Sequence, residues 1–230
     1  KVVSIASYSQ TELAISVFGD RFWIFNKLNG ELRPMPVNDP ELNYQVKYAG
    51  VGINICNEND GKLLIFGRTL NRYDRSTGLC RRIKIDSGTK SIGYFLSIGN
   101  TDKGLWFHDN RKLYFLPTGA EDLTTVSVFS SNETIRCGHI DQKGDIWIAT
   151  SDGLHRFDTT DRSFHKIPTS LFNDVVSVVC DKRDRVWVGT KYGLYAYLSK
   201  SDTFAMFGKS DGAEPNEYLS KARLLARSGD

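Results

Sequence analysis

No apolar run in this chain approaches the ~20 residues of a membrane helix. Its most apolar stretches, such as VVSVVC at 175–180 and GYFLSI at 93–98, are far shorter. Methionine occurs twice and not at position 1, and Lys1 leads straight into VVSIA. No basic-then-apolar leader and no lipidation motif is read in these residues, and the sequence is expected to be a piece cut or matured from something longer. Cysteine is sparse, and Cys56, Cys80, Cys137 and Cys180 show neither CxxC spacing nor a histidine partner pattern. That argues against zinc and permits disulfides without requiring them. Excess charge is also missing: 30 Lys and Arg stand against 27 Asp and Glu, for a net +3. The basic residues are scattered, with Lys221–Arg227 (KARLLAR) the nearest approach to a cluster, so no nucleic-acid partner is expected. The four histidines, His108, His139, His155 and His165, show no HExxH or other paired metal spacing and read as structural or solvent-facing. No GxSxG elbow and no phosphate-binding glycine loop occurs. No catalytic residue, metal site or cofactor is implied.

What is present is a repeat. The segment GDIWIATSDGLHRFD at 144–158 is nearly restated by DRVWVGTKYGLYAYL at 184–198. Aligning on the tryptophan yields five copies, with Ile15, Leu63, Trp106, Trp147 and Trp187 at the anchor position; Leu64 would serve as well as Leu63. Seven residues later come Phe22, Leu70, Leu113, Leu154 and Leu194, and three further on Phe25, Tyr73, Leu116, Phe157 and Tyr197. Six residues before the anchor stand Ser9, Asn57, Asn100, Asp141 and Asp181, all short polar side chains suited to turns. Trp106, Trp147 and Trp187 are expected to be structural anchors filling the space between neighbouring repeats.

Each copy reads as four short strands separated by Asx and Gly turns. No stretch before residue 212 carries a convincing helical period. A repeat of four strands in about forty residues predicts an all-β fold, a β-propeller of four-stranded antiparallel blades. The blades are placed at about 2–36, 46–86, 91–130, 133–168 and 174–208, with the start of a sixth at 217–230. Since the next Trp strand is due just where the sequence stops, the chain is expected to be a fragment of a larger, seven-bladed propeller.

The repeats resemble the regulator-propeller repeats in the periplasmic sensor regions of hybrid two-component histidine kinases of the Bacteroides type. That family's pattern is an Asp-x-x-Gly turn, Leu/Ile-Trp-Ile/Val-Gly-Thr, two variable residues, Gly-Leu, then an aromatic followed by Asp. Here it reads DQKGDIWIATSDGLHRFD at 141–158 and DRVWVGTKYGLYAY at 184–197. The segment DGAEPNEYLSKARLLARSGD is similar to a late Asp-Gly-Leu…Asn-Glu-Phe/Tyr passage of the family, with Ala213 in place of Leu. The first two copies depart from the pattern, with Ile15 and Leu63 for Trp and Arg21 and Thr69 for Gly, and the third has HDNRKL. The resemblance implies a periplasmic sensor region of an inner-membrane protein, anchored through a segment outside this chain and dimeric in the full receptor. It also implies an oligosaccharide ligand from glycan breakdown. The kinase would lie elsewhere, so no enzymatic activity is expected of this region.

In a propeller a ligand would meet the face where the turns between second and third strands approach the loops between blades. On this chain those turns hold Arg68, Asp109, Asn110, Arg111, Ser151, Asp152, Lys191 and Tyr192. Two alternatives stay open. A propeller lyase of the streptogramin-inactivating type would place a catalytic His near a metal-binding acid. A WD-type scaffold would show recurrent Gly-His and Trp-Asp pairs, whereas the Gly-His at 138–139 is isolated and no Trp precedes Asp.

Overall fold

The structure is a computed structural model that describes residues 1–48, 52–58, 62–85, 94–129, 132–199 and 201–213. The proposed blade start at 217–230 lies outside the described residues. Among the described residues five sheets follow one another along the chain, each built on a four-stranded meander in sequence order. The first contains β1 (Val2–Ser7), β2 (Glu12–Val17), β3 (Phe22–Asn26) and β4 (Leu32–Pro34). The second contains β5 (Asn54–Asn57), β6 (Leu63–Phe66), β7 (Leu70–Tyr73) and β8 (Cys80–Arg82). A two-residue strand β9 (Lys84–Ile85) then leads into the third sheet, β10 (Leu96–Thr101), β11 (Gly104–His108), β12 (Lys112–Pro117) and β13 (Asp122–Val128). The fourth has β14 (Ile135–Ile140), β15 (Ile146–Thr150), β16 (Gly153–Asp158) and β17 (Ser163–Lys166). The fifth has β18 (Val175–Cys180), β19 (Arg185–Thr190), β20 (Gly193–Leu198) and β21 (Thr203–Phe207). β9 pairs with the edge of β13 in parallel, Lys84 opposite Asp122 and Ile85 opposite Leu123, covering an edge that would otherwise be open.

Strand chemistry follows position in the sheet. The second strands LLIF, GLWFH and IWIAT are buried along their whole length and are correspondingly apolar. The fourth strands LRP and CRR carry charge because they lie at the exposed edge.

The register revises two of the anchors. Trp147 faces Arg156 and Trp187 faces Ala196, each two residues after the repeated Leu of its copy. By the same rule Arg72 faces Leu64, so Leu64 rather than Leu63 is the second anchor. In the first copy Phe22 faces Ser16, which makes Ala14, fully buried, the equivalent in place of Ile15. The turns differ in length by one residue, and a fixed sequence offset cannot register that.

A helix also corrects the sequence reading. α1 spans Pro40–Tyr48 in the connection between the first two sheets. Its signal is capping rather than periodicity. Asp39 accepts the Leu42 amide at 3.0 Å, Pro40 takes the first helical position where no N–H is needed, and Glu41 lies in the first turn. Only Leu42, Gln45 and Val46 face inward, too few to raise a helical period in a nine-residue segment.

The chain divides into two compact units, residues 1–109 with 114–126, and residues 110–113 with 127–230. In the first, one core joins α1 to the first two sheets through Ala14, Ile24, Leu42, Val46, Ile55, Leu63 and Tyr73. A second core joins the next pair of sheets through Leu64, Phe66, Phe95, Phe107, Tyr114 and Leu123. The second unit is built on Cys137, Trp147, Leu154, Val178, Val188, Tyr195 and Tyr197. There the Trp147 ring packs 5.5 Å from that of Tyr197 on the following sheet. Trp106 packs against Phe115, and Trp187 against Phe207.

Candidate functional site

The repeated Asp and the anchor Trp prove to be one device. Asp141 Oδ1 accepts the amides of Lys143 and Asp145 at 2.9 and 3.0 Å, while Oδ2 accepts Trp147 Nε1 at 2.9 Å. Asp181 repeats the pattern with Arg183, Arg185 and Trp187 at 2.8, 3.1 and 2.8 Å. Both residues are therefore committed to architecture. At the opposite end of the same strands, Thr150 and Thr190 staple their turns. Thr150 Oγ1 receives the Asp152 amide at 3.1 Å, and Thr190 Oγ1 the Tyr192 amide at 3.0 Å. Each turn closes on a glycine at positive φ, Gly153 at 126° and Gly193 at 149°, conformations a side chain would strain.

Within the second unit the register brings several segments to one end of the sheets. Ile135, at the start of β14, faces Thr150, which faces Gly153, and His155 faces Lys166 near the end of β17. The turn at 151–152 therefore lies beside the link at 132–134. The two are joined by a Thr134 amide to Ser151 Oγ bond of 2.9 Å and a Ser151 amide to Thr134 carbonyl bond of 3.0 Å. Asp152 pairs with Lys166 at 2.6 Å, and that ammonium holds its carboxyl below the usual carboxylate range. On the next sheet Asp174 takes Arg136 Nη2 at 3.1 Å and lies 3.6 Å from Lys191 Nζ. Tyr192, next in sequence to Lys191, is 68% exposed.

The eight residues nominated from sequence meet different fates. Ser151, Asp152, Lys191 and Tyr192 all stand at this end of the second unit. Asn110 and Arg111 belong to the same unit and are exposed; their carbonyls accept the amides of Ile135 and Phe129 at 2.8 and 2.7 Å. Arg68 and Asp109 belong to the first unit. Arg68 is exposed and donates through Nε to Tyr94 at 3.0 Å. Asp109 departs from the expectation of an exposed turn residue: it is 3% exposed, and Tyr114 donates its hydroxyl to Oδ2 at 2.8 Å.

Sequence reasoning missed Glu133, His155, Lys166 and Asp174, which lie on links or on strands outside the scanned turns. His155 Nε2 stands 2.7 Å from Glu133 Oε1, and the same oxygen receives the Thr150 hydroxyl at 2.8 Å. Burial pushes the His155 pKa below the ordinary imidazole value against a smaller opposing pull from Glu133. The other histidines serve locally. His108 Nδ1 meets the Asp109 carbonyl at 2.8 Å, His139 Nδ1 accepts the Cys180 amide at 3.2 Å, and His165 Nε2 meets Ser163 Oγ at 2.7 Å. Burial raises the thiols of Cys56 and Cys80 to about 12, far from thiolate at neutral pH. Among the described residues no group of three or more His, Cys, Asp or Glu could hold a metal, and no helix is long and apolar enough to cross a membrane.

Residues 169–192 match the family described as two component regulator propeller. No curated protein matches the chain. Among solved structures, the extracellular domain of a protein assigned as a hybrid two component system from Bacteroides thetaiotaomicron is similar with a TM-score of 0.65 at 16% identity. The likeness covers 84% of this chain and 26% of that one. A second such extracellular domain from the same organism gives a TM-score of 0.51 at 14% identity, over 99% of this chain and 37% of that one. Virginiamycin B lyase from Staphylococcus aureus gives 0.65 at 13% identity, over 90% and 69%. The chain thus spans about a quarter to two fifths of the length of the two-component structures it resembles. The fold is a β-propeller of four-stranded antiparallel blades.

Proposed function

We propose that this chain is a ligand-sensing part of the extracytoplasmic region of a hybrid two-component sensor. It would take a glycan-derived oligosaccharide at the loop end of its second unit. The kinase, the membrane anchor and the dimer that carries the signal belong to a longer receptor, and the region itself is not an enzyme. The observation that carries the reading is a division of labour within the repeat. The Asp–Trp clasp and the Thr–Gly staple are the same in the fourth and fifth copies. The residues between them, Ser151 and Asp152 in one turn and Lys191 and Tyr192 in the next, differ, and all but the half-buried Ser151 are exposed. An exposed phenol on the same turn as Lys191, whose ammonium lies 3.6 Å from Asp174, suits a saccharide, offering a stacking face with charged groups on the same turn.

A thermal-shift series of the chain against neutral and acidic oligosaccharides tests this. At about 100 times Kd a folded-state ligand contributes about 2.7 kcal/mol, a rise of several degrees. Tyr192→Ala should abolish most of that rise while leaving the unliganded Tm close to that of the wild type. No shift with any saccharide contradicts direct sugar sensing.

One observation favours a second reading, an enzyme on the same fold. The likeness to virginiamycin B lyase covers most of the chain, and His155 stands beside Glu133. Incubation with virginiamycin B followed by chromatography decides it: conversion to a new species would support the enzyme, and unchanged substrate would reject it.

A further inference from the structure

In one cluster of the second unit two cations share a single carboxylate. Asp174 accepts Arg136 Nη2 at 3.1 Å and lies 3.6 Å from the Lys191 ammonium. On the fourth sheet the ratio is even or reversed: Asp152 pairs with Lys166, and Arg156 is shared by Asp145 and Asp158. At 3.6 Å the Lys191 ammonium makes no hydrogen bond to Asp174, and its side chain is 57% exposed.

Arg136 reaches this cluster by departing from the repeat. The pairing of β14 with β15 slips between Ile135 and Cys137, which makes Arg136 a bulge residue. β1 and β18 slip at the same place against their second strands, and the residues there are Val3 and Val176. Valine therefore satisfies packing at this position, and a bulge re-aims whatever side chain it carries. The guanidinium is also under-used. Arg72 donates Nε and Nη2 together to Glu58, whereas Arg136 gives Asp174 Nη2 alone. Its Nε has no hydrogen-bond partner among the described residues. The cluster also touches both variable turns. A Cβ on Gly153 would stand 3.8 Å from the Asn173 carbonyl, so the segment leading to Asp174 runs against the first turn, and Lys191 belongs to the second.

We propose that Arg136 and Lys191 form a carboxylate subsite that takes an acidic sugar such as a hexuronic acid, with Asp174 holding the two cations side by side. Two cations against one carboxylate leave one positive charge in the cluster for an incoming anion to neutralise. Lys191 supplies an exposed ammonium that can turn from Asp174 to the ligand, and Arg136 supplies planar N–H donors suited to a carboxylate. Tyr192, next in sequence to Lys191 and 68% exposed, adds a ring face that a sugar can use and a bare carboxylate ion cannot. This subsite rests on the saccharide reading above and narrows it to acidic sugars.

Amide chemical-shift titration of the chain at pH 7 with D-glucuronate, D-glucose and acetate tests it. Glucuronate should move the amides of Arg136, Asp174, Lys191 and Tyr192, and bind at least about tenfold more tightly than glucose or acetate. Lys191→Gln, an exposed turn substitution, should lower the preference over glucose by about tenfold, and Arg136→Gln should do the same. Raising the salt from about 0.05 to 0.5 M should weaken glucuronate and leave glucose unchanged. Glucose matching glucuronate, or a preference that survives in both variants, overturns the subsite while the saccharide reading stands. Acetate binding as tightly as glucuronate means an anion site indifferent to the sugar, and overturns it too. No response to glucuronate also overturns it, and the oligosaccharide thermal shifts then decide the broader reading by themselves.

Discussion

Asp181 receives four donors on one carboxylate: the amides of Arg183 and Arg185, the Arg185 Nε at 2.6 Å and the Trp187 indole. Burial alone would raise its pKa, but the bonds from Trp187 and Arg185 outweigh it and hold the carboxyl below the usual range. Asp181→Ala strands these donors and should cost about 2–3 kcal/mol in urea unfolding at pH 7. Since the folded pKa lies below the unfolded value, this stabilisation is complete above about pH 4 and is lost as the pH falls further. The wild type should therefore lose more stability than Asp181→Asn between pH 5 and pH 3; equal losses would contradict the clasp. The column of short polar residues was legible in the sequence as a turn signal, and the tryptophan as an anchor. That one bonds the other was hidden, because the turn alone already explains the Asp. Asp109 shows the converse. Its neighbours Asn110 and Arg111 are exposed, but the Tyr114 hydroxyl five residues on draws its side chain inward.

At the scale of elements, the strands and their order were readable because four apolar pulses recur in each copy. The exceptions are where spacing and physics part. Turn length shifts the anchor to Leu64 and Ala14, and α1 announces itself only through Asp39-Pro40-Glu41. Asp39→Ala removes the cap and should cost about 1 kcal/mol, seen locally as faster exchange of the Asn43 amide, which bonds the Asp39 carbonyl at 3.0 Å. Unchanged exchange there would mean that packing of Leu42 and Val46 suffices. A larger effect belongs to Glu58 and Arg72, a buried two-point pair with contacts of 2.7 and 2.6 Å, in which Arg72 also donates to the Ala120 carbonyl at 2.9 Å. Glu58→Ala leaves a charge buried without its counterpart and should lower the stability of the first unit by about 3–5 kcal/mol. A loss below about 1 kcal/mol would show that water reaches the guanidinium.

For the whole molecule, the repeat identifies the architecture, and the function follows from which residues escape the repeat. Half of the turn residues nominated from sequence stand together at one end of the second unit. Glu133, Lys166 and Asp174 join them from links and edge strands, where a scan of turns could not find them. Long-range register, set by core packing across forty residues, makes that assembly, and no local pattern encodes it. The central claim is that this end of the second unit binds a saccharide. Amide chemical-shift mapping with an oligosaccharide that raises the Tm tests it most directly. The account predicts that the largest shifts cluster at 132–134, 150–152, 173–174 and 190–193 and are absent in Tyr192→Ala. Shifts concentrated in the first unit, or at the Asp141 and Asp181 turns instead, would contradict it.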